Sequence, residues 1–257
     1  SGKTEAALLW SGSDKVFITL PLRVSLNAMY DRLTDQEKIG LNYVGLLHSS
    51  SHDYLLERDA IDGESTYTQS RQISEKVMLT TIDQVLKFPF YYKGFEKELV
   101  TFSYAKLVID EIQAYDPHIA AMLLKGLELI DRMGGKVMIM TATLPKLFLE
   151  TLESRQLLRP GSWGKARFAN DELKRHRFRL EQCTLADLTE SIVQDGMKHK
   201  VLVICNTVDQ SIQLYNRLTE KMQGKHPVHL LHARFTKEDK SRLEQKVTGF
   251  AESGWHE

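Results

Sequence analysis

The strongest constraint on the fold is the alternation of short apolar runs with amphipathic stretches between Lys15 and Phe148. The runs are rich in Val, Ile, Leu and Met, and the pattern predicts strands over 16–20, 43–47, 77–81, 106–110 and 137–141. The stretches between them, such as 23–33 and 119–133, have helical spacing. Near-continuous apolar strands separated by helices are typical of a parallel sheet covered on both faces, so we predict an α/β fold.

The same pattern returns nearer the end of the chain. Strands are predicted over 201–205 and 228–231, and helices over 208–222 and 237–250. Between the two halves lies a basic stretch, which suits either phosphate binding or a solvated linker. We therefore predict a first domain over 1–152, a basic connector over 153–182, and an incomplete second domain over 183–257.

Charge and cysteine content exclude several classes of protein. The 34 Lys and Arg residues balance the 34 Asp and Glu residues, which argues against a histone-like wrapper or an acidic tail, although one groove can still be basic. Two cysteines cannot form a disulfide framework or a four-cysteine zinc site. No apolar run is long enough to span a bilayer and no secretory signal is visible. We expect a soluble, reduced, cytoplasmic protein with no membrane partner.

The first residues resemble the second half of a phosphate-binding loop. Ser1, Gly2, Lys3 and Thr4 precede a helix-forming run, as in the pattern G-x-x-x-x-G-K-[ST]. Backbone amides at such a helix start bind phosphates, the lysine reaches the β- and γ-phosphates, and the threonine holds Mg²⁺. We predict that Ser1, Gly2, Lys3 and Thr4 contact ATP and that Thr4 binds the metal. A Gly-Lys-Thr triplet also arises by chance, and the chain is expected to be a piece cut at both ends.

Two carboxylates follow the fourth predicted strand. Asp110 and Glu111 end an apolar run, and the carboxyl end of a parallel strand faces the ligand crevice. Asp110 is predicted to bind Mg²⁺ through water, and Glu111 to orient or deprotonate the attacking water. The alternative is a solvated strand end, which the earlier Gly-Lys-Thr makes less attractive. The expected cofactors are ATP and Mg²⁺.

Two hydroxyls follow the fifth predicted strand. Thr141 and Thr143 would lie at the same sheet edge, where they can hydrogen-bond a carboxylate and a neighbouring domain. Taken alone, the pattern is also typical of a simple strand-end turn.

Together these motifs resemble motifs I, II and III of superfamily 2 helicases. The local sequences are similar to the CRISPR-associated helicase of type I systems, the helicase part of a helicase-nuclease, over nearly the whole chain. The segments that carry the resemblance are 2–8 (GKTEAAL), 20–23 (LPLR), 80–84 (TTIDQ), 110–116 (DEIQAYD), 140–145 (MTATLP) and 231–235 (LHARF).

The resemblance implies a motor of two RecA-like domains, the second one incomplete here. Such a motor moves 3′→5′ on single-stranded DNA after recruitment by an RNA-guided CRISPR surveillance complex. An HD nuclease domain or subunit would be a further partner. The residues expected on the nucleic-acid track are Pro21, Arg23, Thr81, Gln84, Asn206, Thr207, Arg234 and Phe235.

Two departures from the family pattern bear on activity. Gln113 stands where the family usually has His; its amide can still hydrogen-bond the γ-phosphate side or a motif III threonine, so we include it with the catalytic residues. The arginine fingers expected in a second domain lie beyond residue 257, and an arginine finger contributes ~10³–10⁵ in rate. The isolated chain is therefore expected to hydrolyse ATP poorly or not at all.

Rival interpretations remain open. One is another superfamily 2 translocase that acts on DNA or RNA. Another, of a different class, is an inactive piece that only binds nucleic acid or a partner protein. The dipeptide His52-Asp53 matches that of an HD nuclease, but one dipeptide does not make the several-ligand metal site of that enzyme.

Overall fold

The chain divides into two compact units, Ser1–Phe168 and Ala169–Glu257. The computed structural model describes residues 2–154, 158–159, 161, 163–168 and 177–252. Part of the basic connector, including Arg155 and residues 174–176, lies outside the described residues.

The first unit is built on a five-stranded parallel sheet in the order β2-β3-β1-β4-β5. Each strand lies within one residue of its predicted range. The predicted α/β fold with a parallel sheet is therefore confirmed. The strands are β1 (Val16–Thr19), β2 (Val44–Leu47), β3 (Val77–Thr80), β4 (Lys106–Asp110) and β5 (Lys136–Met140).

Helices connect the strands, as parallel strands require. The apolar spacing over 119–133 predicts the longest of them, which begins slightly earlier because Asp116 caps its first turn and Pro117 fits the first helical position. The helices of this unit are α1 (Lys3–Ser11), α2 (Arg23–Thr34), α3 (Ser51–Arg58), α4 (Asp62–Arg71), α5 (Ile82–Val85), α6 (Phe95–Phe102), α7 (Pro117–Met133) and α8 (Lys146–Ser154). Two 3₁₀ turns, Phe88–Phe90 and Ile112–Ala114, complete the unit.

Two apolar clusters hold the sheet, one on each face. Neighbouring residues of a strand alternate between them: Phe17 packs in one cluster, and Val16 and Ile18 pack in the other. The same alternation separates Met78 from its strand neighbours Val77 and Leu79. Each large side chain buried in this way contributes roughly 1.5–3 kcal/mol. The sheet is thus buried on both faces, and its strand ends are left to carry polar side chains.

The second unit contains α9 (Thr189–Gly196), α10 (Val208–Met222) and α11 (Lys237–Glu252). The prediction of strands over 201–205 and 228–231 is wrong for this structure, in which residues 177–252 contain no strand. The apolar pattern is present, since Val203, Cys205 and Val228 pack against α9 and α10. A strand also needs a hydrogen-bonded neighbour, and no such pairing forms here; Leu202 and Ile204 are 82% and 83% exposed.

None of the helices in the described part of the chain combines the length and the apolar character needed to cross a bilayer.

Candidate functional site

Three charged side chains from distant parts of the first unit meet at the carboxyl edge of the sheet. Lys3 opens α1, Asp110 ends β4, and Glu111 follows it. The Lys3 Nζ donates to Asp110 Oδ1 at 3.2 Å and also contacts Glu111 Oε1. The structure therefore brings together the residues predicted to bind phosphate, metal and water, although Lys3 and Asp110 are 107 positions apart.

Lys3 and Glu111 each stabilise the charged form of the other. Burial opposes the charge on the Lys3 ammonium, but hydrogen bonds to Glu111 and Asp110 outweigh it and raise the pKa of Lys3. The pKa of Glu111 is lowered, first by the hydrogen bond from Lys3 and then by that from Gln113. Lysine and glutamate thus hold each other in the charged form, and Lys3 screens the two carboxylates from each other.

Glu111 has a left-handed backbone conformation, with φ 55° and ψ 46°. Its amide donates to the Met140 carbonyl at 3.0 Å and to Asp110 Oδ1 at 2.9 Å, which ties the end of β4 to the end of β5. For a residue with a Cβ this conformation costs roughly 1–2 kcal/mol. Sequence reasoning missed the feature, because a strained glutamate has no signature in the sequence.

Gln113 connects Glu111 to the end of β5. Its Nε2 donates to Glu111 Oε2, and its Oε1 accepts from the Thr141 hydroxyl. The same hydroxyl lies 2.9 Å from the Thr143 carbonyl and accepts the Thr143 amide at 3.2 Å. The contact between Gln113 and a threonine of the Thr-Ala-Thr segment is therefore present, and a continuous chain of contacts runs from Lys3 to Thr143.

The remaining residues of the predicted phosphate and metal site lie at the start of α1. Gly2 has φ 71°, a conformation that glycine adopts without strain, and precedes the first helical turn, in which Thr4 is half-buried. Ser1 lies outside the described residues. No group of three or more His, Cys, Asp or Glu side chains in the described ranges is placed to hold a metal ion. Mg²⁺ nevertheless fits the donors present, because it is usually held by one or two carboxylates together with substrate phosphates.

The first predicted nucleic-acid segments lie beside each other at the same sheet edge. Pro21 and Thr81 line a cavity of about 230 Å³, together with Asp83 and Tyr115. Burial raises the pKa of the Tyr115 hydroxyl to about 12, so that this group stays protonated. Parallel pairing of β1 with β3 accounts for this proximity, since both segments follow the carboxyl ends of those strands.

Arg23 and Gln84 are exposed or half-buried beside these segments and have polar partners. The Arg23 guanidinium donates to Ser49 Oγ at 2.9 Å. The Gln84 amide donates to Asp83 Oδ2 at 2.9 Å, and its carbonyl oxygen accepts from Lys87 Nζ at 3.1 Å. Ser49 and Lys87 are contacts that sequence reasoning did not anticipate.

The buried His48 lies next to the turn that holds Ser49, the partner of Arg23. It is 5% exposed, its Nε2 lies 2.8 Å from Asn27 Oδ1, and its Nδ1 accepts the Ser50 amide at 3.3 Å. Burial, and then the nearby charge of Arg23, lowers the pKa of His48 to about 4. His48 is therefore neutral and orders the turn that carries Ser49, while His52 pairs separately with Glu64.

In the second unit, the residues predicted to contact nucleic acid gather around the start of α10. The Thr207 hydroxyl caps the helix by accepting the Gln210 amide at 3.2 Å, next to exposed Asn206. Arg234 donates to Asp209 Oδ1 at 2.7 Å. Phe235 stacks on His232, with ring centroids 4.1 Å apart. The capping and ion-pair roles use part of the hydrogen-bonding capacity of Thr207 and Arg234.

A family model and a relative of known name both point to CRISPR-associated nuclease/helicases. Residues 197–254 match the family model described as CRISPR-associated nuclease/helicase Cas3, C-terminal. The chain is 32% identical over 259 residues to the CRISPR-associated nuclease/helicase Cas3 of Methanothermobacter thermautotrophicus, covering 94% of this chain and 31% of that protein. The chain thus spans about a third of the length of this relative.

Solved structures show the same fold. The crystal structure of T. fusca Cas3-ADP matches with a TM-score of 0.72 and 19% identity, over 96% of this chain and 34% of that one. A chain of a CRISPR RNA-guided surveillance complex in a pre-nicking state matches with a TM-score of 0.62 and 19% identity, over 96% of this chain and 32% of that one. These similarities confirm the resemblance drawn from the motifs.

Proposed function

We propose that this chain, a relative of the CRISPR-associated nuclease/helicases over nearly all of its length, forms the ATP-binding part of a helicase in CRISPR defence. The observation that carries the proposal is the meeting of Lys3, Asp110 and Glu111 at one sheet edge, with Gln113 connecting them to Thr141. The nucleotide-bound state of the structural neighbour is consistent with it.

The nucleotide site uses residues from the start of α1 and the end of β4. Lys3 and the amides around Gly2 would hold phosphates, and Thr4 and Asp110 would hold Mg²⁺, which would neutralise charge on the transferred phosphoryl group. The Lys3 ammonium cannot bind the phosphates and keep its hydrogen bonds to both carboxylates at the same time. If Lys3 turned toward phosphate, Glu111 would lose the first of the two partners that lower its pKa and would become a stronger base for the attacking water.

Gln113 would then connect the position of the Glu111 carboxylate to the segment that follows β5. Any movement of the Glu111 carboxylate alters its hydrogen bond with the Gln113 amide, and the other end of that amide holds the Thr141 hydroxyl. Thr141 and Thr143 directly follow β5 and precede α8. We infer that this connection couples hydrolysis to movement of the segment after β5.

The substrate we propose is single-stranded DNA, with 3′→5′ movement by family resemblance. Contacts through Pro21, Arg23, Thr81 and Gln84 would fall on the phosphate backbone and carry no sequence preference. In the second unit, the residues proposed to contact nucleic acid are Asn206, Thr207, Arg234 and Phe235. The surveillance complex in which a structural neighbour is seen, and an HD nuclease, are proposed partners.

Nucleotide binding by Lys3→Ala tests the proposal. Titration calorimetry with ATP and Mg²⁺ is expected to show binding by the unaltered chain and at least a tenfold loss in the variant, because a lysine-phosphate contact is removed. Lys38→Ala is a matched control, since Lys38 is exposed and pairs with Asp35 on the surface. Equal affinity in all three proteins would contradict the assignment of Lys3.

Because the isolated chain is expected to hydrolyse ATP poorly, the stimulation of ATP turnover by single-stranded DNA or RNA, rather than its absolute rate, then separates the remaining functions. DNA-stimulated turnover supports the helicase, and RNA-stimulated turnover supports a different superfamily 2 translocase. Nucleic-acid binding without nucleotide binding would instead support a non-catalytic binding protein.

A further inference from the structure

An exposed aromatic group follows the predicted nucleic-acid residue Gln84 along the chain. Phe90, Tyr91 and Tyr92, which we call the aromatic platform, are 46%, 75% and 66% exposed. Aromatic side chains usually contribute by burial, so three adjacent ones that face solvent invite a functional explanation.

The residues that precede the platform pack against the core of the first unit. Phe88 is 1% exposed and packs against Phe102, with ring centroids 5.4 Å apart. A Cβ on Gly126 of α7 would lie 3.9 Å from Pro89, so the 3₁₀ turn also lies against that helix. The 3₁₀ turn from which the platform extends therefore packs on the core of the first unit, while the rings of Phe90, Tyr91 and Tyr92 are exposed.

Tyr91 ends the 3₁₀ turn with a left-handed backbone, and its amide donates to the Phe88 carbonyl at 3.3 Å. Its φ is 54° and its ψ is 36°, a left-handed conformation that is a genuine outlier for a bulky side chain. The Tyr91 and Phe95 rings are nearly perpendicular, with centroids 5.0 Å apart at 81°. Strain of this kind at an exposed residue is a feature of ligand-binding positions.

Contacts join the platform to the predicted track. Lys87 Nζ donates to Gln84 Oε1 at 3.1 Å, and the Phe90 amide donates to the Lys87 carbonyl at 3.2 Å. The neighbourhood is not strongly basic, because each lysine over 83–98 has an acidic counterpart: Lys87, Lys93 and Lys97 against Asp83, Glu96 and Glu98. A ligand would therefore be bound through ring faces rather than through its charge.

We propose that the aromatic platform stacks bases of the single-stranded nucleic acid that passes Gln84. Aromatic faces stack on any base, so this contact needs no sequence preference and suits a translocating motor. The inference rests on the proposed function, since it assumes that a single strand lies along Thr81–Gln84. It adds a base-binding surface to the phosphate contacts proposed for the first unit.

Binding of two fluorescent 20-mers, oligo-dT and an abasic strand, tests the platform by anisotropy. Tyr91→Ala and Tyr92→Ala are each expected to weaken oligo-dT binding about 5- to 100-fold and to leave abasic binding unchanged. The slope of affinity against salt concentration should also stay the same, whereas Arg23→Ala should reduce it. Tyr91→Phe should bind as the unaltered chain does.

Tyr104→Ala is the matched control. Tyr104 is also exposed, at 60%, but it lies just before β4 and so at the sheet edge opposite Asp110. Unchanged oligo-dT binding by both tyrosine variants, with weaker binding by Arg23→Ala, would overturn the platform and leave the proposed function intact. Failure of the unaltered chain to bind either strand would overturn both. Tyr92 lacks the left-handed backbone, so its variant tests stacking without altering a strained position.

Discussion

At the scale of single residues, the site depends on side chains that charged and polar partners hold in place. Glu111 combines a strained backbone with two charged or polar partners, and Lys3 pairs with both carboxylates. The pair keeps its charges between the ordinary pKa of glutamate, near 4.5, and that of lysine, near 10.5. Because both side chains are partly exposed, we expect their attraction to add no more than about 1 kcal/mol to stability.

The buried His48 predicts a pH dependence of stability. Its pKa is about 4 in the folded chain and near 6.5 when unfolded, so between these values only the unfolded chain gains a proton. Stability therefore falls as the pH is lowered from 6.5 to 4, by on the order of 2–3 kcal/mol from this residue.

Urea unfolding of the unaltered chain and His48→Gln at several pH values measures this contribution. Glutamine can keep a donor toward Asn27 but does not titrate. The variant is expected to be less stable at pH 7, with a difference that shrinks as the pH falls toward 4. A difference that stays constant over this range would show that the pKa of His48 is the same in the folded and the unfolded chain.

At the scale of elements, short polar segments set where helices begin. Asp116 accepts the amides of His118 and Ile119 at 2.8 and 3.0 Å, and Thr207 plays the same part for α10. Asp116 belongs to the segment 110–116 that carries the family resemblance, yet its contacts are those of a helix cap. A resemblance in sequence thus includes residues whose role is structural.

Removing the cap of α7 should destabilise the first unit. Asp116→Ala leaves two amides without their partner and is expected to lower the free energy of unfolding by about 0.5–2 kcal/mol. Asp116→Asn keeps an acceptor and should cost much less. Thermal or urea unfolding of both variants checks the prediction, and equal losses would show that the carboxylate acts through its charge instead.

At the scale of the whole molecule, the two units differ in how their apolar segments are held. The first unit has a five-stranded sheet between two apolar clusters. The cluster described in the second unit centres on Val193, Leu214, Leu218 and Met222. The segments 201–205 and 228–231 are without a strand ladder in the described residues.

This difference predicts distinct rates of amide hydrogen exchange. Amides of β1, β3 and β4 should exchange slowest, because their ladders open only with the core. Amides of 201–205 and 228–231 should exchange many times faster. Exchange followed by mass spectrometry measures both sets in one sample, and protection of 201–205 equal to that of β1 would mean that these segments form strands in solution.

The amino-acid sequence by itself determined the five strands of the first unit, several of the helices between them and the motif residues at the strand ends. Apolar periodicity and turn chemistry act over a few residues, so they are readable without a structure. The strands predicted over 201–205 and 228–231 were wrong because the local sequence shows only an apolar pattern. A strand also needs a second strand to pair with, and that depends on contacts with distant residues.

Only the tertiary structure decided which of these residues meet. It placed Lys3 against Asp110 and Glu111, gave Glu111 and Tyr91 left-handed backbones, joined Gln113 to Thr141, and left the aromatic platform exposed. Each of these depends on contacts between segments far apart in the chain, and the free energy of such contacts comes from packing of the whole unit rather than from any local preference.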